Sequence, residues 1–348
     1  MAADTTISDV ARAAAVSPTT VSRVLNGGYP VSRAARARVE RAIEQLSYVR
    51  NAHAQALRQA STGVVGVVIH DVADPYFAEI VAGIQEVAAE GGRLVVLCNS
   101  LRDPAGQVRY IEMLRAQRVD AVIMAGGAFE DPSYRRNLRL QAMALERQGA
   151  RVVLCGDRDP AADTVLPDNR GGAYRLARHL LERGHREIAE IAGPGGLSTT
   201  RERSEGLHAA LRETGITVDS CPRECGEFSR DGGYVAMRRL LRGGARFTAV
   251  VAANDLTALG ALAALREAGL RVPDDVSLVG YDDLPVLADV LPGITTVRVP
   301  MREMGRRCMA LALRPREAST VETLPVHLVE RESVGPPRRG RAGRRRDG

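Results

Sequence analysis

Near the start of the chain, Ser17-Pro18-Thr19-Thr20-Val21-Ser22-Arg23-Val24-Leu25-Asn26 mixes hydroxyl, guanidinium and amide groups with regularly spaced apolar residues. Hydroxyls donate or accept, and a guanidinium can grip two acceptors at once, as guanine presents them in the DNA major groove. Such groups read a partner only when a rigid element holds them to one side. Proline inside a helix costs about 3 kcal/mol. Here Ser17 is a good N-cap and Pro18 a good first helical residue, where its missing N–H would be unpaired anyway. A helix is therefore expected from Pro18 to about Leu25, stopped by Asn26-Gly27-Gly28. Ile7, Val10, Ala11 and Ala14 before it, and Val39, Ala42, Ile43 and Leu46 after it, follow helical spacing. The turn Ala15-Val16-Ser17 joins the first two helices into a helix-turn-helix, whose second helix enters the major groove.

Composition narrows the chemistry. All 48 basic residues are arginine, so a P-loop lysine, a kinase strand lysine and a lysine Schiff base are excluded. The five cysteines are odd in number and scattered, which argues against a disulfide framework. Cys221 and Cys225, with Glu224 and His208, are too isolated to imply zinc. "GPGG" at 193–196 lacks the dinucleotide fingerprint, and the histidines lack metal spacing. No catalytic residue, metal or cofactor is expected, and an enzyme is not. Residues 1–60 carry eight arginines against four acids, a net +4, and residues 336–348 carry six against one, a net +5. The total is +6, so the body between is mildly acidic, and the basic ends point to an anionic polymer. No run of about 18 apolar residues predicts a membrane helix. No signal-peptide core is evident, so a cytoplasmic protein without a membrane partner is expected.

From residue 62 the texture changes. Short β-branched runs at 64–69, 93–98, 120–124, 151–155, 187–193, 248–253 and 277–281 alternate with helical stretches, the signature of parallel sheets in βαβ units. The length fits two such sheets. The arginine-rich end, 336–348, reads as disordered, with non-specific DNA binding as the alternative.

The string "TISDVARAAAVSPTTVSRVLNG…VSRAARARVERAIEQLSYVRNAHAQALR" resembles the headpiece of the LacI/GalR repressors, and the resemblance continues through nearly the whole chain. It implies an N-terminal all-α helix-turn-helix headpiece (1–50), a hinge helix or linker (51–61) and a core (62–335) for effector binding and dimerisation. The core is an α/β pair of parallel-sheet lobes resembling periplasmic sugar-binding proteins. Lobe one is expected at 62–159 and 293–319, and lobe two at 160–292 and 320–335, with three crossings between them.

The family's base-reading positions fall on Pro18, Thr19 and Arg23. Pro18 offers only apolar contact, so direct readout leans on the other two. Thr6, Ser22, Asn26 and Ser32 are expected at phosphates, and Ser17, Thr20 and Asn51 complete the DNA set. Ala54 and Leu57 fall on the hinge, with Leu57 as a minor-groove wedge. Tyr48-Val49-Arg50-Asn51 lacks the proline common at the hinge entry.

Around the cleft, the resemblance and the position after the first strand implicate Asp74, Tyr76 and Phe77. The resemblance makes Arg203 the ligand arginine, Phe228 an aromatic wall, and Asn254, Asp255 and Asp282 polar contacts. Asp255 reads equally as a helix cap. The expected function is a dimeric, sequence-specific DNA-binding regulator, a repressor. It would bind a near-palindromic double-stranded operator, with affinity controlled by a sugar-like or nucleoside-like effector. The alternatives are a DNA-binding regulator without effector, and a solute-binding protein of the same core fold.

Overall fold

A computed structural model describes residues 5–26, 30–48, 61–157, 162–315 and 318–338. The chain divides into two compact units, Met1–Thr62 and Gly63–Gly348.

In the first unit, three short helices each start at a capping side chain. Thr6 caps α1 (Ile7–Ala13): its Oγ1 accepts from the Asp9 N–H, and Asp9 Oδ2 accepts from the Thr6 N–H at 3.0 Å. This reciprocal box satisfies two donors that the helix itself cannot. Ser17 Oγ accepts from the Thr20 N–H at 3.1 Å ahead of α2 (Pro18–Asn26). Ser32 does the same for α3 (Arg33–Gln45). Ala15, at φ 51°, makes the sharp turn between α1 and α2. Arg38 Nε reaches back to the Ala14 carbonyl at 3.0 Å and ties α3 to that corner. The core is Val10, Ala11, Ala14, Val21, Val24, Val39 and Ala42. It is thin because small side chains suffice when three helices touch closely.

The second unit holds two parallel sheets. The first contains β1 (Val64–Ile69), β2 (Leu94–Asn99), β3 (Ala121–Ala125), β4 (Arg151–Cys155), β5 (Asp163–Pro167) and β11 (Val321–Leu324), in the order β11-β5-β4-β3-β1-β2. Helices α4 (Pro75–Glu90), α5 (Pro104–Ala116), α6 (Pro132–Arg147) and α11 (Met301–Leu313) accompany it. The second contains β6 (Ile188–Ala192), β7 (Arg223–Cys225), β8 (Ala249–Ala252) and β9 (Ser277–Val279), in the order β7-β6-β8-β9. Its helices are α7 (Asn169–Glu182), α8 (Ser198–Glu213), α9 (Arg230–Arg242) and α10 (Asp255–Glu267). An antiparallel pair, β10 (Thr296–Arg298) and β12 (His327–Val329), joins this lobe through bridges from Val279 to Thr295 and from Asp282 to Arg298.

β3, β4 and β6 are buried almost end to end, as parallel strands covered on both faces must be. Three lobe-one helices begin with the same dipeptide: Asp74-Pro75, Asp103-Pro104 and Asp131-Pro132. Each aspartate caps and each proline fills the first helical position. One of these caps, Asp74, is also a candidate ligand contact.

The lobe boundaries differ from those expected. β5 and β11, assigned to lobe two from sequence, pair in the first sheet, and β10, assigned to lobe one, pairs with β12 of lobe two. Each crossing therefore lies several residues later, after Pro167, after Arg298 and after Leu324. For the first and third crossings the cause is in the strand ends. "DTVLP" and "VETLP" both finish on Leu-Pro, and proline, with no N–H to give, ends a ladder rather than continuing it. Of the stretch 336–348 expected to be a disordered tail, 336–338 are described and held on lobe two, and the rest lies outside the described residues. Arg338 pairs with Asp275 at 2.5 Å, and His185 links Thr248 Oγ1 (2.8 Å) to the Gly335 carbonyl (2.9 Å).

Candidate effector cleft and DNA-facing helix

Loops at the carboxyl ends of the strands converge on a cavity between the lobes, of about 440 Å³ including its open mouth. Ligand pockets typically span about 300–1,000 Å³. Lobe one supplies His70 after β1, Asp74, Tyr76 and Phe77 at the start of α4, Arg102 after β2, and Gly126-Gly127 after β3. Lobe two supplies Leu197, Thr199 and Arg203 around α8, Phe228 after β7, Asn254 after β8 and Asp282 after β9.

The lobe-one wall is aromatic. His70 stacks on Phe77 (5.7 Å, 4° between planes) and on Phe129 (5.4 Å), and Tyr76 meets Phe77 edge-on at 5.2 Å. Burial, reinforced by the charge of Arg102, pulls the His70 imidazole down to about 4, so it is neutral at physiological pH. Gly126 adopts φ +121°, and a Cβ there would lie 2.3 Å from His70 Cδ2; both facts require glycine. Arg102 is clamped by Asp71 (3.3 Å) and Asp74 (3.4 Å). Its guanidinium stands 6.0 Å from the centre of the Phe228 ring on the facing lobe. Asp74 is pushed up by burial, against the pull of its backbone hydrogen bond and of Arg102.

The lobe-two wall is polar and held rigidly. Arg203 donates from Nε to Asn169 Oδ1 (3.2 Å), from Nη1 to the Ala253 carbonyl (2.7 Å) and from Nη2 to Asp282 Oδ1 (2.7 Å). Its guanidinium lies 3.7 Å from the centre of the Tyr281 ring. These bonds engage three of its five N–H groups, one on each nitrogen. Asp282 has the left-handed φ of +112°, fixed by its N–H to the Val297 carbonyl (2.8 Å) and its carbonyl from the Val299 N–H (3.1 Å). Burial pushes its carboxyl up to about 6, opposed by Arg203. Asn254 caps α10, its Oδ1 accepting from the Thr257 N–H (2.9 Å) and Oγ1 (2.7 Å).

Seven of the eight residues expected at the effector line this cavity: Asp74, Tyr76, Phe77, Arg203, Phe228, Asn254 and Asp282. Asp255 does not line it. It is fully buried, and its two oxygens are taken by Thr296 Oγ1 (2.6 Å) and the Leu284 N–H (2.7 Å). It ties α10 to the strands beside Asp282 and is the first helical residue, with Asn254 as the cap. His70, Arg102, Leu197 and Thr199 were not anticipated. Their signal lay in following strand ends, which is visible only once the strands share a sheet.

On the headpiece, Ser17, Pro18, Thr19, Arg23 and Asn26 are exposed and Thr20 and Ser22 half-buried. Several polar groups already serve the fold. Thr6, Ser17 and Ser32 cap helices, Ser17 Oγ and Thr20 Oγ1 lie 2.9 Å apart, and Asn26 Nδ2 donates to Ser22 Oγ at 3.1 Å. Asn51, Ala54 and Leu57 lie outside the described residues.

Comparison with known proteins matches residues 6–51 to the bacterial regulatory proteins of the lacI family, and residues 177–334 to the periplasmic binding protein-like domain. The chain is 36% identical over 339 residues to the transcriptional regulator GalR of Escherichia coli (strain K12), spanning 95% of this chain and 96% of that one. Its structure resembles the lac repressor dimer bound to operator and the anti-inducer ONPF. The TM-score is 0.84 at 30% identity, over 96% of this chain and 100% of that chain. It also resembles the CelR–cellobiose complex, with TM-score 0.70 at 35% identity, over 94% and 99% of the two chains.

Proposed function

The chain belongs to the lacI family of bacterial regulatory proteins, and from that premise we propose that its cleft takes a neutral, hydroxyl-rich effector of sugar type. The protein is a sequence-specific DNA-binding transcriptional regulator, acting as a homodimer on a two-half-site operator, and we read it as a repressor in the cytoplasm. Among the described residues no helix is long and apolar enough to cross a membrane. The cleft is a binding site and not a catalytic one on this reading.

One observation carries the choice of effector. Each cavity cation is already matched by protein carboxylates, Arg102 by Asp71 and Asp74, and Arg203 by Asp282. A phosphate or carboxylate ligand would meet aspartates as well as arginines, and a desolvated like charge is costly. A neutral polyol meets what remains: two spare N–H groups on Arg203, the second oxygen of Asp282, the amide of Asn254 and the ring of Phe228. Hydroxyls both donate and accept, so they satisfy donors and acceptors together.

The effector changes operator affinity only through different affinities for the two lobe arrangements. On the outer edge of lobe one, Leu94, Val96 and Leu97 are exposed along β2. That apolar strand supports a place for the second protomer. The test is a thermal-shift and calorimetry panel of neutral mono- and disaccharides, their phosphates and nucleosides. Binding of neutral sugars is expected. Binding of phosphorylated sugars alone contradicts the charge argument, and no response from any of them favours a regulator without effector.

A further inference from the structure

Two loops meet across the mouth of the cleft as backbone. One is 126–131, after β3 in lobe one. The other is 193–197, which leads into α8 of lobe two. Phe129 and Leu197 form an antiparallel bridge. The Ser198 N–H donates to the Ala128 carbonyl (3.0 Å), the Ala128 N–H to Ser198 Oγ (3.0 Å), and the Glu130 N–H to the Gly196 carbonyl (2.8 Å). At the outer end, Arg201 Nε donates to Glu130 Oε1 at 2.6 Å. At the inner end, Gly127 packs so closely on lobe two that a Cβ would lie 2.3 Å from Thr199 Oγ1 and 3.1 Å from Ser198 Oγ. The result is one continuous seam in which both partners are protein.

The seam grips a specific element. Ser198, Thr199 and Arg201 occupy the first turn of α8, and Arg203 follows on the same helix. Thr199 lines the cavity while abutting Gly127, so the seam and the cavity share a wall. Arg201 is also held on its own lobe by Glu205 at 2.9 Å, which presents the guanidinium towards Glu130. The ion pair is half exposed and weak by itself. The backbone bonds and the glycine fit set the geometry.

We propose that residues 127–130 and 196–201 form a latch that holds the two lobes shut by contacts of the protein alone, with Gly127 and the Glu130–Arg201 pair as its setting points. Entry of a ligand from this side then requires the latch to open. That consequence rests on reading the cavity as the effector site; the latch itself does not.

Hydrogen–deuterium exchange on the full-length protein, with no sugar added, tests it. In the wild type, peptides covering 126–131 and 195–201 should exchange at least about tenfold slower than a free peptide. Gly127→Val, which drives a side chain into Thr199, should erase most of that protection while β1 and β6 stay protected. Arg201→Ala and Glu130→Ala should each speed exchange about threefold at the seam. Glu205→Ala, which touches the same arginine without crossing the cleft, should change it less. If Gly127→Val also exposes β1 and β6, the Arg201 and Glu130 variants decide. Free-peptide exchange at the seam in the wild type, wild-type exchange in Gly127→Val, or wild-type exchange in both Arg201→Ala and Glu130→Ala overturns the latch. Such a failure leaves the effector reading standing, and a failed sugar panel leaves the latch standing.

Discussion

Pro18, Thr19 and Arg23 stand exposed on α2, whereas Arg203 and Asp282 are 8% and 2% exposed at the cleft. The helix proposed to read DNA needs no enclosure. Three capped helices over a core of valine and alanine leave its polar side chains exposed, and on this proposal the groove supplies the complementary surface. The cleft must take polar groups out of water, so its charges are first matched inside the protein and its side chains fixed by several bonds each. Substitutions should therefore act differently in the two places. In the headpiece they should be graded and local. In the cleft, removing one member leaves another buried and unmatched.

Arg203→Ala should show the largest effect. It strands the buried Asp282, and breaking such a pair costs about 3–5 kcal/mol. Calorimetry should show at least a ~100-fold loss of effector affinity, while operator affinity without effector stays within about twofold. Comparable losses in both readouts would erase the distinction between the regions.

The next effect is on pH. Burial pushes the Asp282 carboxyl up to about 6, and protonation there turns one acceptor oxygen into a donor and weakens the pairing with Arg203. Effector affinity should be flat above about pH 7 and fall as pH drops through 6, by up to about tenfold per unit. His70, held near 4, stays neutral across that window. Asp282→Asn should flatten the profile; an unchanged slope would assign it to another group.

Arg23→Ala should cost about 1–3 kcal/mol of discrimination at one base pair per half-site, measured on a library of operator variants. Uniform weakening over all sequences would make Arg23 a phosphate contact. The smallest effect is Thr6→Ala. Loss of the reciprocal cap should destabilise the headpiece by about 1 kcal/mol in its melting transition and leave effector affinity untouched.

The same contrast explains what could be read from the sequence. The headpiece is written locally: Ser17-Pro18 starts α2, and the structure ends it at Asn26, within one residue of expectation. Arg203 and Asp282 sit in recognisable strings, and the structure brings them to 2.7 Å. Asp255 sits in an equally recognisable string, yet its direction is set by Thr296 and Leu284, distant partners that no local pattern reveals. His70 and Arg102 carry no local signal, because their roles depend on which strand ends are neighbours. The crossings are not legible in the sequence because β5, β10 and β11 are short strands without a long apolar run.

On the proposed function, a neutral effector bound at Arg203 and Asp282 controls DNA binding. Operator titrations of wild type and Arg203→Ala, with and without the sugar identified by the panel, test it most directly. The wild-type operator Kd should change by about fivefold or more on adding the sugar, and that of Arg203→Ala should not change at all. A shift of the same size in Arg203→Ala would contradict the claim, as would a sugar that binds the wild type and leaves its operator affinity unaltered.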